Sequence, residues 1–246
     1  MACLYRFESN ERARIYLTNA LEPTQDFSGT LEFAIPALAH EAEAVNTIKG
    51  SKRFTVVVGN PPYAGHSANN GNWIQTLVDE YFQINGKSLG EANSKWLRDD
   101  YVKFIRLGQE FMRKSHVGLF SFITNHGYVD NPTFRGMRKS LIDDCKYLWI
   151  ADLHGNTKKK ELDDSGRSDE NVFDIQQGVA IFTALISPEN DSKIWHHHVR
   201  GKRGAKYELL SDHNSITLPS AQIYPEEKYY LLVPQNRVVR DEYNRF

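Results

Sequence analysis

Residues 54–63 read Phe54-Thr55-Val56-Val57-Val58-Gly59-Asn60-Pro61-Pro62-Tyr63, an apolar run followed at once by a double-proline turn. The run is mostly β-branched or aromatic, which is typical of a buried strand in a parallel sheet. The two prolines stop the strand and remove two backbone N–H donors. A turn at the carboxyl end of a central strand is where open α/β sheets bind their ligands. The stretch therefore predicts an α/β fold with a site at residues 60–63.

The side chains of this turn suit one kind of ligand. Asn60 offers a carboxamide oxygen, the turn offers carbonyl oxygens, and Tyr63 offers a flat aromatic face. Two neutral oxygens can accept both hydrogens of an exocyclic amino group on a planar ring. A stiff loop without chemistry is the alternative, because Asn-Pro and Pro-Pro are common turn dipeptides.

Residues 54–63 resemble the catalytic motif of amino-methylating DNA methyltransferases of the N6-adenine type. The wider chain resembles the methyltransferase region of restriction–modification polypeptides. The resemblance implies a Rossmann-like methyltransferase fold with a mostly parallel central sheet, S-adenosylmethionine as cofactor and double-stranded DNA as partner. It also implies a flipped target adenine, whose amino group meets Asn60 and the Pro61 carbonyl in the turn that Pro62 stiffens, while Tyr63 stacks on the base.

Two other functions remain open at this point. A non-catalytic DNA-binding or assembly subunit could retain the methyltransferase core for structural reasons. Methylation of protein or RNA is also compatible with the turn, because residues 60–63 recognise an amine rather than DNA itself. The resemblance favours site-specific DNA adenine-N6 methylation in a restriction–modification system.

The resemblance assigns further site residues. Asn19 would meet the amino group of the cofactor's adenine, with Ala20 and Leu21 packed on its ring. Phe104, on a helix predicted over 99–113, would offer an aromatic contact to the same ring, and Phe173 would stack on the second face of the target base. Each has a plainer alternative: a turn residue for Asn19, core packing for Phe104 and a buried strand entrance for Phe173.

Hydrophobic periodicity predicts the remaining elements. Two helices are expected. The first covers 10–12 residues from about Pro36, and the second starts after Asn131 and continues through Leu141. The second helix would present a basic outer face that could lie beside a phosphate backbone. Residues 64–72 form either a mobile loop that closes over the site or a plain connection, and residues 154–171 a long, partly disordered surface loop. Strands are predicted over 14–17, 117–124, 147–153 and 179–186.

One segment that the resemblance leads us to expect is not found in the sequence. The related methyltransferases carry a glycine-rich cofactor loop after their first strand, and residues 1–13 contain no glycine. We therefore expect an N-terminally incomplete catalytic domain over 1–200 and an extension over 201–246 leading towards target recognition. A truncated or split enzyme would need a second chain to supply the missing segment, or would join a restriction subunit. The lost strand would leave an apolar sheet edge open to pairing.

Composition sets few limits on function. The 246 residues include 30 basic and 31 acidic side chains, so the net charge of −1 neither supports nor excludes nucleic-acid binding. Two cysteines without a spacing pattern, no signal peptide and no long apolar run favour a reduced, cytoplasmic protein that does not contact a membrane.

The run Trp195-His196-His197-His198 is the most unusual local composition. Strand side chains alternate between faces, so three adjacent histidines cannot converge on one metal ion. His196 and His198 share a face, but no cysteine or acidic partner stands at a recognisable spacing. The run is therefore interpreted as sheet-edge residues, and no metal is expected.

Overall fold

The structure is a computed structural model that describes residues 14–24, 36–63, 67–90, 94–189 and 191–235. The chain divides into two compact units, residues 1–52 and residues 53–246. The first unit contains helix α1 (Pro36–Ser51), which begins at the predicted proline and is longer than predicted at 16 residues. Proline is favoured there because the first turn of a helix leaves its N–H groups unbonded.

The prediction of a strand over residues 14–17 is wrong. These residues have no regular structure, and the side chains of Ile15 and Leu17 are 84% and 96% exposed. A strand requires a neighbour that accepts its backbone hydrogen bonds, and no described strand pairs with this segment. The chain turns just afterwards, where the Glu22 N–H donates to the Asn19 carbonyl at 3.3 Å.

The second unit is built on a six-stranded sheet. In chain order its helices are α2 (Asn72–Asp79), α3 (Asp100–Ser115), α4 (Gly127–Asp130), α5 (Arg135–Asp144) and α6 (Arg203–Asp212), and short 3-10 turns cover Glu80–Phe82, Ser94–Arg98 and Pro132–Phe134. The strands are β1 (Val56–Gly59), β2 (Gln83–Ile84), β3 (Lys87–Ser88), β4 (Gly118–Asn125), β5 (Cys145–His154), β6 (Val179–Ile186), β7 (Lys193–His198) and β8 (Ala221–Ile223).

The sheet order is β1-β4-β6-β5-β7-β8, and β2 and β3 form a separate hairpin. β1 is parallel to β4 and β5 is parallel to β7, whereas β6 and β8 are antiparallel to their neighbours. Four of the six strands therefore run in one direction, which confirms the predicted mostly parallel α/β sheet. The helix predicted before β4 is α3, and it forms the crossover expected between parallel strands.

β1 is not the buried central strand that its sequence predicts. Among the described residues it lies at one edge of the sheet, and the side chains of Val56 and Val58 are 58% and 71% exposed. An apolar run cannot by itself distinguish a strand covered on both faces from one whose neighbouring layer is missing. The carboxyl end of β1 nevertheless carries the double-proline turn, as expected.

Helix α3 packs very closely on the sheet. A Cβ added at Gly108 would come within 2.8 Å of the Phe122 ring, which explains a glycine in the middle of a helix. Phe120 and Phe182 continue this contact from neighbouring strands, with ring centroids 5.3 Å apart. The core therefore lies between α3 and the β4–β6 pair.

The basic helix face predicted beside DNA is only partly exposed. Arg138 on α5 is completely buried, and its guanidinium donates to the carbonyls of Tyr128, Asn131 and Tyr229 at 2.6–2.9 Å. Periodicity placed Arg138 on the outer face because a sequence does not show that residues 229–232 fold back over α5. Arg138 therefore joins two segments of backbone and does not contact solvent.

The long loop after β5 is ordered by internal contacts. Leu162 and Ser168 form an isolated antiparallel bridge, and Asp169 and Asn171 are buried. The prediction of a partly disordered surface loop is wrong because its second half is attached to α6. The predicted domain boundary at residue 200 stays a prediction, and α6 and β8 follow it in the same compact unit.

Candidate active site

The double-proline turn leaves Asn60 exposed directly after β1. The Tyr63 hydroxyl lies 2.8 Å from the Asn60 carboxamide oxygen and 3.0 Å from the Ile123 carbonyl oxygen on β4. One hydroxyl proton serves these two acceptors. Burial raises the pKa of Tyr63 to about 12, so the hydroxyl remains a donor at neutral pH. The turn is therefore attached to the neighbouring strand through the tyrosine.

Tyr63 and Phe173 face each other across this end of the sheet. They are far apart in the chain, yet their ring centroids lie 6.2 Å apart with an interplanar angle of 40°. A planar base between two parallel rings needs about 7 Å, because each contact takes about 3.5 Å. The pair predicted to sandwich a base is thus brought together, and binding requires the rings to rotate and separate by about 1 Å.

Asn171 holds the segment that carries Phe173. Its carboxamide oxygen accepts the Phe173 N–H at 2.8 Å, and its amide nitrogen donates to the Gly155 and Gln177 carbonyls at 3.0 and 2.7 Å. An asparagine two residues before the residue it binds is typical of an Asx turn. That pattern could have drawn attention to Asn171, which sequence reasoning missed.

Helix α6 supports the same segment from outside. The Arg203 guanidinium donates to the Phe173 carbonyl at 3.2 Å and to Asp174 at 2.7 Å. The Tyr207 hydroxyl donates to the Val172 carbonyl at 2.6 Å. These contacts cross 29 residues of sequence or more, and nothing in the local pattern predicts them. The position of Phe173 is therefore set by α6 as well as by its own turn.

The residues assigned to the cofactor lie in both compact units. Asn19 stabilises its own turn, since its carboxamide oxygen accepts the Leu21 N–H and its amide nitrogen donates to Glu22, both at 3.1 Å. Leu21 is buried, and Ala20 is partly buried. Phe104 is partly exposed on α3, next to the buried Ile105. An apolar ring face at Phe104 suits an adenine ring, and the cofactor roles of all four residues stay predictions.

The polar loop after the turn is anchored to α3 in its described part, residues 67–70, whereas residues 64–66 lie outside the described residues. The buried ammonium of Lys103 donates to the Asn69 carbonyl at 2.6 Å, and Asp100 accepts from Ser67 and Asn69. Desolvation lowers the pKa of Lys103. A loop attached in this way is not a plain exposed connection, and it lies against the helix that carries Phe104.

A second polar cluster occupies the carboxyl ends of β5 and β7. Two groups of side chains have possible ligand atoms within 4.8 Å of one another, His126 with His154 and Glu161, and Asp152 with His196 and His198. The interpretation of the histidine run as sheet-edge residues is wrong, because β7 lies between β5 and β8. The acidic partner that sequence spacing did not reveal is Asp152.

Comparison with solved structures shows that restriction-modification enzymes share this fold. The ATP-dependent Type ISP restriction-modification enzyme LlaBIII bound to DNA matches 90% of the chain with 23% identity and a TM-score of 0.71. The DrdV-DNA complex matches 81% with 26% identity and a TM-score of 0.64. A nuclease-deletion mutant of LlaGI with a DNA substrate mimic matches 82% with 19% identity and a TM-score of 0.67.

The family follows from the sequence. The model of the Eco57I restriction-modification methylase family matches residues 7–158, and the chain belongs to this family. It spans only 15%, 20% and 17% of the three solved chains. No curated protein matches the chain. In its described part, every helix is too short or too polar to cross a membrane.

Proposed function

We propose that this chain forms the base-binding part of a DNA methyltransferase that methylates N6 of a flipped adenine, within a restriction–modification system. The observation that carries the proposal is the Asn60–Tyr63 turn at the end of β1, with the Phe173 ring opposite Tyr63 at 6.2 Å. Membership of a restriction-modification methylase family supports it. So does the DrdV-DNA complex, a DNA-bound protein that is 26% identical over most of this chain.

The proposed binding of the base follows from the turn. Tyr63 and Phe173 stack on the two faces of the adenine. The Asn60 carboxamide oxygen and the Pro61 carbonyl accept the two amino hydrogens. For this, the Tyr63 hydroxyl must leave Asn60, and it can do so at small cost because the Ile123 carbonyl is already 3.0 Å away. Asn60 then orients the nitrogen lone pair.

The implied cofactor is S-adenosylmethionine, which supplies an electrophilic methyl group on sulfur when bound. We propose that Asn19, Ala20, Leu21 and Phe104 contact it. The chain's own contribution to rate is orientation, since holding two reactants in line and near contact lowers the barrier through avoided entropy loss. Double-stranded DNA is the proposed partner, and a second chain or restriction subunit is proposed to complete the assembly.

Product analysis tests this function. The purified chain, together with the proposed second chain that completes the assembly, is incubated with a radiolabelled methyl donor and unmethylated genomic DNA, and the digested nucleosides are separated. We expect label in N6-methyldeoxyadenosine. Asn60→Ala should lower the rate about 10²–10³-fold, the loss typical of removing one preorganised hydrogen-bonding group. Asn72→Ala, an exposed asparagine at the start of α2, is the matched control and should retain the wild-type rate.

Other outcomes redirect or reject the proposal. Label in N4-methylcytosine would keep the amine-methylating turn and change the target base. A folded chain that binds DNA but transfers no label would favour the non-catalytic DNA-binding or assembly subunit. Calorimetric titration with S-adenosylmethionine separates cofactor binding from DNA binding, because Phe104→Ala should weaken cofactor binding and leave DNA binding unchanged.

A further inference from the structure

Strand pairing creates a histidine-rich pocket that the methyl-transfer proposal does not use. β5 and β7 are parallel, with Asp152 opposite His198 and Ile150 opposite His196. Alternate residues of a strand share a face, so Asp152, His196 and His198 project to the same side of the sheet, and His197 projects to the other. His154 at the end of β5 completes the pocket.

The distances within the pocket match those around a small cation. His154 Nε2 lies 2.8 Å from His198 Nδ1, which lies 3.2 Å from His196 Nε2. The second carboxylate oxygen of Asp152 lies 3.7 Å from His154 Nε2. Ligands at about 2.0–2.1 Å in a tetrahedron around Zn²⁺ are about 3.3–3.4 Å apart. These three separations lie on both sides of this value.

The surrounding contacts orient two of the three imidazoles as ligands. His196 Nδ1 lies 2.8 Å from the Leu232 carbonyl, and His154 Nδ1 lies 3.4 Å from Glu161. Each of these outer nitrogens therefore carries the proton, which leaves the Nε2 lone pair directed into the pocket. Partners of this kind on the outer nitrogen are typical of metal-bound histidine.

Asp152 is oriented in the same way. One of its oxygens lies 2.9 Å from His126 Nδ1 and accepts the backbone N–H of His154 at 3.0 Å, and its other oxygen faces the imidazoles. His126 thus supports the carboxylate rather than acting as a ligand itself. Glu161 is likewise occupied, because it accepts the Asn156 N–H at 2.7 Å. His126 and Glu161 therefore hold Asp152 and His154 in place and do not bind the ion themselves.

Without a cation the pocket holds more acceptors than donors. His198 Nδ1 can donate its single proton to His154 or to His196, but not to both. Imidazole binds a metal ion in its neutral form. His198 is exposed, which provides an entry path.

We propose that Asp152, His154, His196 and His198 bind one Zn²⁺ ion. Four protein ligands leave no open position, which is the arrangement of a structural rather than a catalytic zinc site. The ion would join the carboxyl ends of β5 and β7. Through the outer contacts of Glu161 and Leu232, it would also fix the loop after β5 and the segment that follows β8.

Metal analysis and spectroscopy of the 246-residue chain test this site. The chain is stripped with a chelator, reloaded with Zn²⁺ or Co²⁺ and desalted. We expect one bound ion per chain, an intense visible absorption from tetrahedral Co²⁺, and a thermal transition raised by Zn²⁺. His198→Gln should abolish all three effects, and this exposed position should tolerate the change. His197→Gln is the matched control on the opposite face and should behave as the wild type.

A second variant distinguishes a metal ligand from a residue that only orients a ligand. Glu161→Gln should weaken Zn²⁺ binding about 10–100-fold without abolishing it, as expected for a group that orients a ligand. Complete loss in Glu161→Gln with full binding in His198→Gln would place the ion in the other group and overturn the proposal. A wild-type chain that retains no ion after desalting, with circular dichroism showing it folded, would also overturn it.

Discussion

The Tyr63 hydroxyl and a bound amino group require the same oxygen of Asn60. The structure provides a second acceptor for that hydroxyl in the Ile123 carbonyl, so the competition can be resolved by a small rotation about the C–O bond. The ring of Tyr63 and its hydroxyl then have separate roles: the ring faces Phe173, and the hydroxyl attaches the turn to β4.

Two substitutions at Tyr63 separate these roles. Tyr63→Phe keeps the ring and leaves Asn60 to the substrate, so we expect kcat/KM for DNA methylation within about 10-fold of wild type, an interaction worth about 1 kcal/mol. Tyr63→Ala removes a stacking contact worth about 1–3 kcal/mol, so we expect a larger loss. Steady-state methylation of the same DNA measures both.

Phe173→Ala is the matched control for stacking, because it removes the opposite face of the proposed sandwich without touching Asn60. Its loss should be similar to that of Tyr63→Ala. If Tyr63→Phe were as harmful as Tyr63→Ala, the hydroxyl rather than the ring would be the essential group, and the sandwich would lose its main support.

Helix α6 fixes the end of the long loop through a buried ion pair. The Lys206 ammonium lies 2.7 Å from the Asp169 carboxylate, and both side chains are fully buried. It also donates to the Leu153 and Glu170 carbonyls at 2.6 Å. Helix α6 is distant in sequence from Phe173, whereas Asp169 shortly precedes it, so this pair supports the segment that leads to Phe173.

Lys206→Met should destabilise the fold by about 3–5 kcal/mol, because it leaves the Asp169 charge buried without its partner. Chemical denaturation monitored by tryptophan fluorescence measures the change. Lys202→Met is the control: that lysine pairs with Glu170 at the surface, where solvent screens an ion pair, so its stability should stay close to that of the wild type. Adding Asp169→Asn to Lys206→Met should recover part of the loss, and no recovery would contradict the charge explanation.

At the scale of the whole molecule, three tyrosines of the buried core link stability to alkaline pH. Burial raises the pKa of Tyr81, Tyr101 and Tyr128 above the ordinary value near 10. Between the unfolded and the folded pKa, the unfolded chain has lost phenolic protons that the folded chain retains. The contribution of these tyrosines to the free energy of unfolding is therefore complete below about pH 10, and it decreases as the pH rises above that value.

Each of these tyrosines should contribute a slope of about 1.4 kcal/mol per pH unit above pH 10. Denaturant titrations between pH 8 and 11 measure this slope. Tyr81→Phe should reduce it by one proton's contribution, although the variant also loses the hydrogen bond to Gln109. Tyr224→Phe, at an exposed position, is the control and should leave the slope unchanged. An equal slope in both variants would reject the assignment to Tyr81.

The sequence by itself determined the class of the fold and the turn at residues 60–63. Strand and helix periods, prolines and the asparagine are local signals, and their physical causes act within a few residues. The strands at residues 118–125, 145–154 and 179–186 and the crossover helix were predictable for that reason, as was the pairing of Phe173 with Tyr63 once a family resemblance was recognised.

Only the tertiary structure decided which of these segments pack against other parts of the chain. β1 lies at a sheet edge, Arg138 is buried, and the loop after β5 is ordered, because these outcomes depend on segments far away in the chain. The same holds for the histidine pocket: Asp152 and His198 are 46 positions apart in sequence and opposite each other in parallel strands. Strand register, which brings such residues within ligand distance, arises from packing that no local pattern records.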